Sequence, residues 1–332
     1  MNGLYPWQNN EWARLQELRK RPPHGLLFKG PAGIGKFDLA MRFATSLLCE
    51  HLADSGLACG NCPSCHWFEQ GSHPDFRLLQ PDALNAETEE GESGKKASKQ
   101  ISVDQVRGLG DFLGMTAHQG GRRVVVIHPA EAMNTNAANA LLKSLEEPPQ
   151  GLLFILVSHK PQQLLPTILS RCQSFPLAAP DAQSAAKWLA AQGVQNAAET
   201  LAASGFAPLP ALKLLDQTGS DERGKLLRAV RQPDTLDVFA LAEALQKTEQ
   251  VLVVQWLQQW CYDLASMKLA GTSRYHPADE AVIRKLVASV EPLALARMQK
   301  HLQTAKREAQ HTLNPKLFLE SLFFSYRQLM LE

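Results

Sequence analysis

GPAGIGKF, residues 30–37, is the stretch of sequence that decides the fold. It has the form of a phosphate-binding loop, G-x-x-x-x-G-K-[ST], except that Phe37 stands where the motif has Ser or Thr. Residues 24–29 before the loop have the apolar pattern of a buried strand, and residues 37–48 after it have the pattern of a helix. A strand, a glycine loop and a helix in this order predict a nucleotide-binding α/β domain.

The chain beyond the loop continues to alternate strand and helix patterns. The predicted elements are a helix at 103–114, a strand at 123–127, a helix at 136–147 and a strand at 152–158. Strands this rich in Val, Ile and Leu predict a parallel sheet that is covered by helices on both faces. After Ser174 the strand pattern ends, and from about Pro208 onward the sequence reads as helical. An all-helical region is therefore predicted to follow the α/β domain.

Composition argues against several classes of function. Among 332 residues, 34 Lys and Arg balance 33 Asp and Glu, so the net charge of +1 supplies no general attraction for nucleic acid or an anionic membrane. The longest apolar run, residues 152–157, is far shorter than the roughly 20 residues of a membrane-spanning helix, and the amino terminus does not resemble a secretion signal. We therefore expect a cytoplasmic protein, in which the charged segment 83–100 forms a mobile surface loop without a function of its own.

Four of the six cysteines form a cluster with the spacing C-x9-C-x2-C-x2-C, namely Cys49, Cys59, Cys62 and Cys65. Four thiolates complete the tetrahedral shell of Zn²⁺, and gaps of two residues bring successive sulfur atoms to one side of a tight turn. Because such a shell has no open position, the zinc ion would be structural. An iron–sulfur cluster and unmetallated thiols are the alternatives, although no Cys-Pro pair follows downstream of Cys65 as it does in bacterial ferredoxins.

The residues that ATP hydrolysis requires are missing at three positions. A hydrolysing phosphate-loop enzyme holds Mg²⁺ with a hydroxyl after the lysine and with a carboxylate at the end of a neighbouring core strand. Here Phe37 replaces the hydroxyl, and His128 and Pro129 stand where an Asp-Glu pair is expected. The residues that could still cradle a phosphate are Gly30, Gly33, Gly35 and Lys36. Nucleotide binding is left open by this pattern, but turnover is not expected.

A single arginine lies in the segment Ser170-Arg171-Cys172. An arginine at the end of a phosphate-loop domain can stabilise the charge that develops on a γ-phosphate held by a neighbouring subunit. Taken alone, Arg171 is better explained as a surface or salt-bridged arginine.

Several segments together resemble the clamp-loader branch of the AAA+ ATPases. They are GPAGIGK, the four-cysteine module, NAANALLKSLEEPP from Asn136 to Pro149, and FILVSHKPQQLLPTILSRC from Phe154 to Cys172. The resemblance implies an AAA+ domain at 1–174 with a zinc module at 49–65, a small helical lid at 175–207, and a helical collar domain for oligomerisation at 208–332.

Within this branch, the chain most resembles the member that does not hydrolyse ATP. The resemblance implies a five-subunit ring with gamma or tau motor subunits and a delta subunit, which loads the sliding clamp on primer-template DNA at replication forks as part of the DNA polymerase III holoenzyme. Arg171 matches the arginine that reaches the neighbouring ATP site, and this context favours an arginine finger acting in trans. Two positions depart from hydrolysing members: the turn at 205–210 has no arginine, and the polar sensor falls at Ser158 or His159 without a way to choose.

Two other functions compete with this interpretation. An ATP-hydrolysing motor subunit of the gamma or tau type is disfavoured by Phe37 and His128. A free-standing zinc-dependent nucleic-acid binder is disfavoured by the neutral net charge and by the lack of interleaved aromatic and basic residues around the cysteines. A measurement of ATP hydrolysis by the purified chain distinguishes the motor subunit from a subunit that does not hydrolyse ATP.

Overall fold

A parallel β-sheet forms the centre of the first part of the chain. The computed structural model describes residues 3–84, 97–114, 121–213, 219–309 and 314–331, and it divides into two compact units, Met1–Pro180 and Asp181–Glu332. Most of the charged segment predicted at 83–100 lies outside the described residues. The strands of the first unit are β1 (Gly25–Lys29), β2 (Phe76–Leu79), β3 (Arg123–Ile127), β4 (Leu152–Ser158) and β5 (Gln173–Pro176).

The glycine loop lies at the carboxyl ends of the strands, in the middle part of the sheet. Across the described residues the order is β2-β3-β4-β1-β5, and every neighbouring pair is parallel. β1 lies between β4 and β5, with Gly25 beside Phe154 and Leu26 beside Gln173. Because ligands of open α/β sheets bind outside the carboxyl ends of the strands, the loop that follows β1 occupies the expected position for a phosphate site.

Helices cover both faces of this sheet. They are α1 (Asn9–Lys20), α2 (Lys36–Leu48), α3 (Pro63–Glu69), α4 (Val103–Arg107), α5 (Gly110–Gly114), α6 (Thr135–Glu146) and α7 (Pro166–Leu169). Alternate residues of β1 point to opposite faces, so Leu27 joins the apolar cluster under α6 while Leu26 and Phe28 join the cluster under α2. The predicted parallel α/β domain is confirmed.

One sequence prediction in this unit needs correction, and two strands were missed. The single helix predicted at 103–114 was wrong, because the chain forms two short helices that separate at Gly108 and Leu109. Gly108 and Gly110 both disfavour a continuous helix through conformational entropy. β2 and β5 were not predicted, since each is a four-residue strand that carries polar residues and lies at an edge of the sheet.

The second unit consists of helices in its described residues. They are α8 (Ala182–Ala191), α9 (Ala197–Ala203), α10 (Pro208–Lys213), α11 (Gly219–Val230), α12 (Val238–Leu245), α13 (Gln250–Ala270), α14 (Glu280–Leu286), α15 (Pro292–Glu308) and α16 (Pro315–Leu331). One small apolar cluster is formed between Ala185 and Ala211, and a larger one is formed between Leu226 and Leu329. The predicted all-helical region is confirmed, and α13 is its central helix, with Trp260 and Cys261 fully buried.

A buried carboxylate fastens the loop after α13. Asp263 is fully buried and accepts hydrogen bonds from the backbone N–H groups of Arg274 (2.8 Å), Tyr275 (2.9 Å) and His276 (2.7 Å), and from Nδ1 of His276 (2.9 Å). Nε2 of His276 lies 3.1 Å from a guanidinium nitrogen of Arg223, which can only donate, so Nδ1 carries the imidazole proton. Burial alone raises the pKa of Asp263, but the hydrogen bonds from His276, Arg274 and Tyr275 outweigh it and hold that pKa below its usual value.

Replacement of Asp263 by Ala is expected to destabilise the second unit strongly. The change strands the donors of residues 274–276 in a buried site, and we expect a loss of about 3–5 kcal/mol in the free energy of unfolding. Urea unfolding followed by tryptophan fluorescence measures the loss. Asp234→Ala removes an exposed carboxylate and is the matched control, for which we expect a change within about 0.5 kcal/mol.

The same site sets a pH dependence. Because the folded-state pKa of Asp263 lies below its unfolded value, its contribution is complete above about pH 4 and is lost as the pH falls through the folded-state pKa. We therefore expect the free energy of unfolding to fall less steeply for Asp263→Ala than for the unaltered chain when it is measured at a series of pH values from 7 down to 2. Equal slopes would show that this carboxylate is not stabilised in the folded state.

Candidate functional site

The glycine loop connects β1 directly to α2, as the motif predicts. Gly30 cannot carry a side chain, because a Cβ atom there would collide with the backbone carbonyl of Leu177. Gly35 has a φ of +81° and precedes the first residue of α2. The loop therefore presents the amino-terminal end of α2, which is the end of a helix that favours anions.

Lys36 points into the loop and is held by the loop itself. Its side chain is buried, and its Nζ donates hydrogen bonds to the carbonyl oxygens of Gly30 (2.8 Å) and Pro31. Burial lowers the pKa of Lys36 to about 8, and the nearby carboxylate of Glu131 opposes this shift only in part. The lysine that the motif assigns to phosphates thus has protein acceptors in this structure.

The amino-terminal segment packs against the outer side of the loop. The side-chain amide of Gln8 donates to the carbonyl oxygen of Gly35 (2.8 Å), and the indole N–H of Trp7 donates to that of Ile34 (3.0 Å). The Tyr5 ring stacks on Trp7, with ring centroids 5.1 Å apart.

Tyr5 also limits what Gly35 can become. A Cβ atom at Gly35 would lie 2.5 Å from the Tyr5 ring. The Tyr5 hydroxyl donates to the carboxylate of Asp38 in α2 (3.2 Å). Burial, and to a smaller extent the negative charge of Asp38, raise the pKa of Tyr5 to about 12. Sequence reasoning missed this contact; the aromatic pair that flanks Pro6 was the available signal.

Aromatic rings stack where the motif expects the groups that hold Mg²⁺. The Phe37 ring lies on the His128 imidazole, with centroids 4.3 Å apart and an interplanar angle of 24°. His159 meets His128 edge to face at 5.4 Å. Burial lowers the pKa of His128 to about 4, with a further contribution from His159, so His128 is neutral at pH 7. Among the described residues, no set of three or more His, Cys, Asp or Glu side chains placed to hold a metal ion includes His128 or His159.

The two candidate sensor residues lie side by side at the end of β4. Ser158 is fully buried, and its Oγ accepts the backbone N–H of Lys160 (3.2 Å). The backbone N–H of His159 donates to Oε1 of Glu131 (2.9 Å). Glu131, which sequence reasoning did not single out, therefore links the ends of β3 and β4 beside Lys36.

The four predicted metal ligands converge on one point. The Sγ atoms of Cys49, Cys59, Cys62 and Cys65 all lie within 4.8 Å of one another. The closest pairs are Cys49–Cys59 and Cys49–Cys65, both at 3.6 Å, followed by Cys49–Cys62 at 3.9 Å and Cys59–Cys65 at 4.0 Å. Four sulfur atoms at Zn–S distances of about 2.3 Å lie about 3.8 Å apart in a tetrahedron. The cluster therefore fits one tetrahedral metal ion.

A chain of hydrogen bonds ties this module to the sheet. Ser64, between two of the cysteines, donates to the carbonyl oxygen of Leu48 (2.6 Å) and lies 2.8 Å from Nε2 of His73. The backbone N–H of Asp75 donates to Nδ1 of His73 (3.0 Å), so Nε2 carries the proton and donates to Ser64. The module is thus joined to the end of α2 and to the turn before β2.

Arg171 lies near the amino-terminal ends of the strands, whereas the glycine loop lies at their carboxyl ends. It comes after α7 and before β5, and its backbone borders Gly25, the first residue of β1, whereas the loop follows the last residue of that strand. A five-residue strand spans roughly 13 Å, which is farther than an arginine side chain extends. The structure therefore does not bring Arg171 to this chain's own phosphate loop.

The guanidinium of Arg171 is held by three contacts near the amino-terminal ends of the strands. One Nη donates to Oε1 of Glu146 (2.7 Å), and the other donates to the carbonyl oxygen of Thr167 (3.0 Å) and to Oγ of Ser170 (3.3 Å). About a third of the side chain is exposed to solvent. The neighbouring Cys172 is buried, and burial raises the pKa of its thiol to about 11.

Comparison with known protein families matches most of the chain. The family described as "DNA polymerase III, delta subunit" matches residues 7–181, and "DNA polymerase III, delta subunit, C terminal" matches residues 217–328. In the described residues, no helix has the length and apolar character needed to cross a membrane.

Two relatives named as delta' subunits agree with the family match. DNA polymerase III subunit delta' of Pseudomonas aeruginosa is 38% identical over 309 residues, which covers 91% of this chain and 84% of the relative. The protein of that name from Escherichia coli is 30% identical over 312 residues, covering 92% of this chain and 85% of the relative. A solved structure of a gamma subunit-related protein from Thermotoga maritima is 18% identical, covers 95% of this chain and 99% of its own, and has a TM-score of 0.47.

Proposed function

The chain belongs to the DNA polymerase III delta' subunit family, and from that premise we propose that it is a clamp-loader subunit that does not hydrolyse ATP. In this role it assembles with gamma or tau subunits and a delta subunit and helps to place the sliding clamp on primed DNA. It works in the cytoplasm at replication forks. Its three parts are the AAA+ domain at 1–174, the lid at 175–207 and the collar at 208–332. The two separate apolar clusters of the helical unit support a lid distinct from the collar, and Ala211 of α10 belongs to the smaller cluster, which favours a boundary after α10.

The observation that carries the proposal is the ring stack of Phe37 and His128 beside the loop. Hydrolysis needs oxygen ligands that hold Mg²⁺ against the β- and γ-phosphates. The stack, with centroids 4.3 Å apart, offers instead a hydrocarbon ring and a neutral imidazole. Lys36 is engaged by loop carbonyls, and Gln8 and Trp7 engage the carbonyls on the outer side. Together these contacts support a loop that has the backbone shape of a phosphate-binding loop but lacks the Mg²⁺ ligands that hydrolysis needs.

Arg171 provides the second part of the proposal. Its distance from this chain's own loop is consistent with an arginine that serves a phosphate of a neighbouring subunit. The third part is a structural Zn²⁺ held by Cys49, Cys59, Cys62 and Cys65, whose sulfur spacing suits a single tetrahedral ion. A zinc ion with four protein ligands stabilises the fold and takes no part in ATP chemistry.

The purified chain is expected to show no measurable ATP hydrolysis. Phe37→Thr alone should not restore turnover, because the substitution supplies one metal ligand while His128 and Pro129 still lack the carboxylates. Steady-state phosphate release at saturating Mg²⁺ and ATP, measured for the unaltered chain and for Phe37→Thr, tests both expectations.

Lys36→Ala is the control for this measurement. Phosphate release that survives Lys36→Ala comes from a contaminating ATPase and is subtracted. Robust release by the unaltered chain that Lys36→Ala abolishes would overturn the proposal and favour the gamma or tau type of motor subunit.

A further inference from the structure

The ion pair between Arg171 and Glu146 joins two segments that lie far apart in sequence. Glu146 is the last residue of α6, and its Oε1 lies 2.7 Å from a terminal nitrogen of Arg171. A carboxylate at a helix's carboxyl terminus is unfavourable, because that end of the helix carries partial negative charge. The helix therefore gains nothing from a glutamate at this position, and the arginine is its evident partner.

The contacts of the guanidinium use its two Nη atoms and leave some of its N–H donors without a partner in the described residues. An arginine has five N–H donors in a planar fork. One Nη donates hydrogen bonds to Thr167 and Ser170, and the second Nη donates to Glu146. Within the described residues, no acceptor is recorded for Nε–H or for the remaining N–H of the second Nη. Nε–H and one N–H of the second Nη therefore remain available to donate to the oxygens of a phosphate.

We propose that Glu146 is a positioning residue, which fixes the rotamer of Arg171 so that its Nε edge faces the ATP site of the neighbouring subunit. The inference rests on the finger role proposed above for Arg171. Exposed ion pairs contribute little to stability, and both partners here are partly exposed, so the pair is not needed to hold the fold together. Its effect lies in geometry, because a misplaced catalytic group can lose a large share of its contribution to the rate.

Glu147 provides a matched control on the same helix end. It is the residue that follows α6, it is exposed, and the described structure records no ion pair for it. Glu146→Ala and Glu147→Ala remove the same charge from neighbouring positions. Glu146→Gln keeps an oxygen that can accept a hydrogen bond but removes its charge.

The experiment uses the reconstituted loader with each variant in this subunit and measures ATP hydrolysis stimulated by the sliding clamp and primed DNA. Arg171→Ala sets the scale. If positioning is worth about tenfold at the facing site, Glu146→Ala removes about nine-tenths of the turnover that Arg171→Ala removes. Glu146→Gln should lose less, and Glu147→Ala should match the unaltered ring. Apparent KM for ATP should change less than the maximal rate, because the arginine acts on the transition state.

A double variant tests whether Glu146 acts through Arg171. Glu146→Ala should have no further effect in a ring that already carries Arg171→Ala, because there is then no guanidinium to position. Unchanged turnover with Glu146→Ala, increased turnover, or a further loss on top of Arg171→Ala would each overturn the inference. An Arg171→Ala ring with full activity would instead remove the finger proposal itself, so the two failures are distinguishable.

Discussion

Removal of the metal from the four-cysteine module is expected to unfold residues 49–65 while the helical unit stays folded. The backbone between Cys49 and Cys62 has a single isolated β-bridge, Leu52 with Ala58, and its side chains are exposed or only partly buried. A segment with so little apolar contact depends on the metal for its shape. In zinc-finger peptides the metal supplies about 10–16 kcal/mol of apparent free energy at pH 7, so the expected effect is large.

Metal analysis of protein prepared without chelator should find one Zn²⁺ per chain, and Cys62→Ser should lower that content. Hydrogen exchange after chelation, or in Cys62→Ser, should show loss of protection at 49–65 and in α3, with little change in α13. Cys172→Ala is the control, because that cysteine is buried away from the cluster and should leave the zinc content at one. Stoichiometric iron, or full protection without any metal, would contradict the zinc assignment.

The strands that could be predicted from the sequence are those that the fold buries completely or, like β1, at all but one position. β3 and β4 are buried at every position, so their composition alone identifies them. β2 and β5 lie at the two edges of the sheet and carry residues such as Arg77 and Gln173, which resemble loop residues. Their extended shape comes from pairing with β3 and β1, and pairing between distant segments leaves no local signal.

The candidate site shows the same limit. The cysteines were predictable because their ligand type and spacing are local, and the structure brings their sulfur atoms together. The stack of Phe37 on His128 was not, since the motif shows only that two metal ligands are missing and not that their replacements touch each other. The contacts of Gln8 with Gly35 and of Arg171 with Glu146 also depend on the tertiary fold.

Arg171→Ala in this subunit is expected to lower ATP hydrolysis by the reconstituted loader without preventing its assembly. The side chain is partly exposed and contributes little to the core, so the chain should fold and join the ring. An arginine finger is worth about 10³–10⁵ in rate at the site it serves. Only the site that faces this subunit loses its arginine, so the summed turnover of the ring should fall by the share of that one site. Steady-state hydrolysis stimulated by clamp and primed DNA measures this share.

Arg171→Lys should rescue this loss poorly, because an ammonium group keeps the charge but cannot offer two donors in one plane to two phosphate oxygens. Arg107→Ala is the control for loss of an arginine, since Arg107 is exposed on the same unit and pairs only loosely with Asp104 at 3.9 Å. The control ring should hydrolyse ATP and load clamps as the unaltered ring does. If Arg171→Ala matched it in both assays, the guanidinium would serve only its contacts with Glu146 and Thr167. Arg171 would then be a surface arginine whose exposed edge faces no phosphate.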